Sequence, residues 1–127
     1  MLTIYTGNIY KSIETLDVTF SFPENRRSPD EQLKWFDKHL KEFQTKDISI
    51  KTFSPYILNY LNLLIAKGDL KFDNIEVYEY FYDEEDETND FTSLKVSDNK
   101  LNNLIDTRSF SEPISWIYSE YNKFKKS

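Results

Sequence analysis

Residues 47–64, DISIKTFSPYILNYLNLL, place a strand-like run, a sharp turn and a helix in one stretch. Ile48, Ile50 and Thr52 alternate with Ser49, Lys51 and Phe53, which is the period of a strand. Ser54 then offers a side-chain oxygen as N-cap and Pro55 a preset φ at the first helical position, so the chain turns there. From Tyr56 to Ile65 almost no polar face remains, and Gly68 suits the position just past a helix end. This helix is expected at the centre of the core, buried on most sides.

Working back from that stretch, Ser28-Pro29-Asp30-Glu31 carries the signature of a helix start, with Ser28 as cap and Glu31 closing a capping box. Leu33, Phe36, Leu40 and Phe43 then recur at three-and-four spacing, so one stripe packs and the rest is wet. Leu16–Phe22, LDVTFSF, alternates like a strand and ends at Pro23. Strand, helix and strand from Leu16 to Phe53 predict two parallel neighbours joined by a helical crossover. Leu2–Thr6 reads as a further short strand, Gly7-Asn8 as a turn and Ile9–Glu14 as a helix start. Beyond Gly68, Ile75–Tyr82 and Phe91–Val96 read as an antiparallel hairpin around the acidic link Asp83–Asp90. Ile114, Ile117, Tyr121 and Phe124 predict a final helix over 111–126 that folds back on the rest.

The expected class is therefore α/β: a small layered sheet with a parallel βαβ unit, an added antiparallel hairpin and a C-terminal helix. The 127 residues favour one domain, 1–127, and 39% hydrophobic with 17% aromatic residues is ample for a core. A formal net charge of −6 argues against a nucleic-acid groove, which needs clustered Lys and Arg. The absence of cysteine removes thiolate catalysis, thiolate metal sites and disulfides, and fits a reducing compartment. No basic leader opens the chain, and Asn59 and Asn62 interrupt its longest apolar run, so a cytoplasmic protein without a membrane span is expected.

Val18–Pro29 (VTFSFPENRRSP) and Ile48–Asn59 (ISIKTFSPYILN) together resemble the second half of an ABC-type P-loop ATPase head of the SMC, RecF and OLD nuclease group. In that family a hydrophobic strand ends in Asp-Glu-Pro-Glu, a loop runs to His-Pro, and the next strand ends in Thr-His-Ser-Pro before an apolar helix. Pro23, Glu24 and Pro29 hold the family's Pro-Glu and Pro positions, and Thr52, Ser54 and Pro55 those around its switch histidine. The resemblance puts Ser21 where the family has its Mg²⁺-holding aspartate, Phe22 in place of its catalytic glutamate, and Phe53 in place of the switch histidine. None of the three can bind magnesium, activate water or sense a phosphate. A phosphate cradle needs glycines close to the phosphates, and the chain has only two. Gly7, Asn8, Lys11 and Ser12 form a distant echo of that loop; the alternative reading is a plain turn and helix start.

Two functions follow from the resemblance. One is a non-catalytic ATPase-like interaction or regulatory module, with an intact ATPase or another protein as partner. The other is residual nucleotide binding or weak hydrolysis through Lys11 and Ser12. No cofactor or metal is implied. Arg26, Arg27, Lys34 and Lys38 form the one basic cluster, a candidate partner surface or a balance for Asp30 and Asp37. The acidic link lacks the glycine and terminal bidentate glutamate of an EF-hand and reads as a solvated hairpin tip. His39 reads as a surface residue. Tyr78, Tyr80 and Tyr82 share one face of a strand; packing under the last helix is favoured over base stacking, since neighbouring acids repel phosphates.

Overall fold

The computed structural model describes residues 1–8, 10–22, 28–97 and 103–125. Glu24, Arg26 and Arg27 lie outside the described residues. The chain forms β1 (Leu2–Gly7), α1 (Pro29–Lys38), α2 (Leu40–Thr45), β2 (Ile48–Lys51), α3 (Pro55–Lys67), β3 (Ile75–Asp83), β4 (Thr88–Ser93), β5 (Lys95–Ser97), β6 (Asn103–Ile105) and α4 (Arg108–Lys125). Four strands make a mixed sheet in the order β2-β1-β3-β4, and β5 and β6 make a separate antiparallel pair. β1 runs parallel to both β2 and β3, while β3 and β4 form the antiparallel hairpin.

The parallel unit therefore exists, but with a different first strand from the one expected. Residues 16–22 are not a strand: Thr19 and Phe20 hydrogen-bond to the edge strand β2 at Ser49, through Phe20 N to Ser49 O at 3.1 Å and Ser49 N to Thr19 Oγ1 at 2.8 Å. Phe20 and Phe22 instead turn towards the helices, with ring centroids 5.6 and 5.1 Å from Trp35. Their alternation serves aromatic packing on α1, and β1 takes the central place in the sheet. The hairpin link also shortens, because β3 and β4 run on until Asp83 pairs with Thr88. Asp83 Oδ1 accepts from the backbone N–H of Glu85 and Asp86, and Glu87 adopts φ 52°, so the acidic tip is a tight turn.

The helix starts agree with their caps. Ser28 Oγ accepts from Glu31 N at 3.3 Å, and Ser54 Oγ from Ile57 N at 3.3 Å. Gly68 takes φ 81° at the end of α3, as a left-handed C-terminal residue should. The helix over residues 29–45 breaks at His39, whose ring is half-buried and lies 4.8 Å from that of Phe20. His39 is thus a packing residue between two helices.

One sheet face carries Leu2, Ile4, Ile48, Ile50, Ile75 and Val77, all buried with Phe36, Phe43, Ile57, Leu58, Leu61 and Leu64 of the helices. Tyr56 and Leu63 are half exposed, so α3 keeps a wet side despite its composition. Asn59 and Asn62, the interruptions in α3, dock the C-terminal hairpin. Asn62 exchanges hydrogen bonds with the Ile105 backbone at 2.9 and 2.7 Å, and Asn59 Oδ1 accepts from Thr107 Oγ1 at 2.9 Å.

Candidate functional site on the open sheet face

Open α/β sheets place ligands beyond the carboxyl ends of their parallel strands, where connections diverge to opposite sides. In this chain those ends are filled from within. Thr6, Ser12, Gln32, Thr52, Ser54 and Glu79 are all buried there. Ser54 Oγ donates to Gln32 Oε1 at 2.6 Å, joining the starts of α1 and α3, and Thr52 Oγ1 accepts from Ser54 N at 2.9 Å. Thr6 Oγ1 has no hydrogen-bond partner among the described residues. Between β1 and β3 the ladder is prolonged by Asn8. Its N–H donates to Tyr80 O at 3.1 Å, its amide donates to Tyr82 O at 3.3 Å, and its Oδ1 accepts from Tyr82 N at 3.1 Å.

The residues of the loop echo are therefore drawn into the fold. Ser12 is fully buried at the end of a short 3-10 turn, and Lys11 Nζ lies 4.5 Å from the centroid of the Tyr82 ring. Hydrogen bonding to Tyr82 raises the Lys11 pKa. Ser21 is exposed and Phe22 half-buried in the irregular segment before α1, and Phe53 is half-buried just after β2. The structure does not bring these three together at strand ends. Lys34 and Lys38 are exposed on α1.

A cavity of about 340 Å³ lies at the opposite end of the strands, lined by Phe43, Gln44, Gly68, Leu70, Lys71 and Asn74. Among the described residues no three His, Asp or Glu side chains gather as metal ligands. No described helix is long and apolar enough to cross a membrane.

The face of the sheet turned away from α1–α3 is more distinctive. Alternation places Tyr5 of β1, Tyr78 and Tyr80 of β3 and Phe91 of β4 side by side on it. Tyr5 stacks on Tyr78 at 6.3 Å and meets Tyr80 edge-on at 6.0 Å; Phe91 stacks on Tyr80 at 5.1 Å and meets Tyr78 edge-on at 5.7 Å. These are the separations at which aromatic pairs attract beyond simple burial. The tyrosines are half-buried and Phe91 is 56% exposed. Desolvation raises the pKa of Tyr78 and Tyr80, keeping both phenols neutral.

The strand-end side of this face is bounded by a strap, residues 12–14. Asn89 Nδ2 donates to Ser12 O at 3.0 Å and Lys51 Nζ to Glu14 O at 3.1 Å, so the strap reaches from β4 to β2. Beyond it stand Asp83, Glu84, Glu85, Asp86 and Glu87, all exposed. At the other end Glu76 meets Lys95 Nζ at 3.4 Å.

The second half of the last helix is not packed down as expected, because Ile117, Tyr118 and Tyr121 there are themselves exposed. Tyr5 and Phe91 were the members that the sequence reading missed. Strict alternation against Leu2, Ile4 and Thr6 is the signal that could have placed Tyr5 on this face. No family model matches the chain, and no curated protein or solved structure matches it significantly.

Proposed function

We propose that this chain is a non-catalytic protein-interaction module that binds through the open aromatic face. The observation that carries the reading is the four-ring cluster of Tyr5, Tyr78, Tyr80 and Phe91, with Phe91 more than half exposed, beside an acidic turn. Contiguous exposed apolar surface rimmed by polar residues marks interaction sites, and rigid rings give large contact area at little entropic cost. The acids at the rim attract a cationic segment and repel phosphates. A protein segment with aromatic or aliphatic residues interleaved with Lys or Arg fits both features. The resemblance of residues 48–59 to an ATPase head adds a partner of regulatory interest, an intact ATPase presenting such a segment.

The nucleotide reading has less in its favour, since Ser12 is buried and Lys11 is engaged with Tyr82. Fluorescence anisotropy tests the choice with two labelled helical peptides, tyrosines interleaved with lysines in one and with glutamates in the other. The lysine peptide is expected to bind, and Phe91→Ser to weaken it by roughly tenfold, as loss of a central aromatic contact does. Equal affinity for both peptides, or indifference to Phe91→Ser, would remove the open face as the binding surface.

A further inference from the structure

The chain exposes a second apolar surface. Ile117, Tyr118 and Tyr121 on α4 are 58%, 65% and 58% exposed. Spaced by one, three and four residues, they share one side of a helix. We propose that the two surfaces meet between chains: the second half of α4 from one copy lies across the aromatic face of a second copy, and the exchange is reciprocal. This rests on the reading of the open face as an interaction surface and names its occupant.

Charge favours the match. Residues 83–90 hold Asp83, Glu84, Glu85, Asp86, Glu87 and Asp90 with no base among them, whereas α4 ends in Lys123 and Lys125 against a single Glu120 in its second half. Laying that helix across the face brings its basic end within reach of the acidic turn, the arrangement that steers docking and fixes register.

Dimensions agree as well. Residues 117–125 span roughly 13 Å of helix at about 1.5 Å per residue. The cluster crosses β1, β3 and β4, two strand spacings or roughly 10 Å. Phe91, Ile117, Tyr118 and Tyr121 are each more than half exposed, so roughly 100 Å² of each remains to be buried out of the roughly 150–250 Å² of a large side chain. Two reciprocal dockings bring the total towards the roughly 1,000 Å² of a specific interface.

The obvious competing dimer joins exposed β4 edges, since all of Thr88–Ser93 is exposed. In an antiparallel pairing centred on Asp90 it would set the two Asp90 side chains opposite each other, and like charges facing across a ladder are unfavourable. Reciprocal helix exchange instead pairs opposite charges twice and closes on a two-fold axis, leaving no open surface to propagate.

Sedimentation velocity of the full chain from about 1 to 300 µM tests this, bracketing the micromolar range that a modest interface reaches. A reversible monomer–dimer equilibrium is expected, weaker at high salt. Tyr121→Ser and Phe91→Ser should each weaken dimerisation by roughly tenfold or more, with unchanged circular dichroism. The decisive sample mixes the two variants: unlike chains retain one intact helix-on-face contact, so mixing should form more dimer than either variant alone. Wild type monomeric throughout, or variants that dimerise as wild type does, overturns the exchange, as does a mixture no better than its components. If the chain is monomeric while the lysine peptide still binds, only the choice of occupant fails; if that peptide also fails to bind, the interaction surface itself is wrong.

Discussion

Gly7 ends the central strand where a side chain cannot fit. A Cβ built there would fall on Ser12 Oγ and stand 2.9 Å from the Tyr80 carbonyl oxygen. Gly7→Ala must therefore push the strap off β1, and overpacking of this kind costs about 1–3 kcal/mol. Chemical denaturation should show the loss, and Ser12→Gly in the same chain should recover part of it by removing the nearest atoms. Tyr60 makes a different residue-level link, donating its hydroxyl to Asp37 Oδ1 at 2.6 Å and tying α3 to α1. That hydrogen bond, followed by desolvation, pushes the phenol up to about 12. Because the folded pKa lies above the ordinary value of 10, this contribution to stability is fully present below pH 10 and is lost as pH rises towards 12. Ultraviolet titration should find a late-ionising tyrosine that moves back towards the ordinary range in Asp37→Asn.

Among the elements, α3 gives the sharpest contrast. Leu61 is fully buried and Leu63 is 52% exposed two residues later. Leu61→Ala should cost about 2–5 kcal/mol, whereas Leu63→Ala should stay within about 0.5 kcal/mol. Equal urea midpoints for the two variants would mean that α3 is not the core. The position of α3 was legible because cap, proline, apolar run and terminal glycine are all local signals. The strand at 16–22 was misread because alternation records only which side chains share a surface. Phe20 and Phe22 share one, but it belongs to Trp35, His39 and Phe43, and ladder membership depends on residues far along the chain. The break at His39 escaped notice for a similar reason, since the apolar spacing of Phe36, Leu40 and Phe43 survives it. Ser21→Asp is expected to be nearly neutral, because Ser21 is exposed. The candidate face was half legible: the shared face of Tyr78 and Tyr80 follows from period two, but nothing local says whether a helix will cover it.

At the scale of the whole molecule, the order β2-β1-β3 diverges at β1, where a nucleotide would be expected if this sheet held one. A phosphate needs free backbone N–H groups and an open approach there. The first N–H past β1, that of Asn8, is spent on Tyr80 O, and its side chain closes the ladder to Tyr82. Ser12, which would have to face a metal or phosphate, is fully buried where the strap begins, and Asn89 holds its carbonyl at 3.0 Å. Opening this end would require breaking those bonds together, so nucleotide binding would have to be driven by contacts that the fold does not offer. Calorimetric titration with ATP and Mg²⁺ is accordingly expected to give no binding heat, and phosphate release to match a protein-free control. Lys11→Ala should change neither, while loosening the contact over Tyr82 and so lowering the protection of the strap amides from hydrogen exchange. A saturable heat that disappears in Lys11→Ala would show that the strap opens to admit phosphate, and the chain would then act through its strand ends rather than its aromatic face.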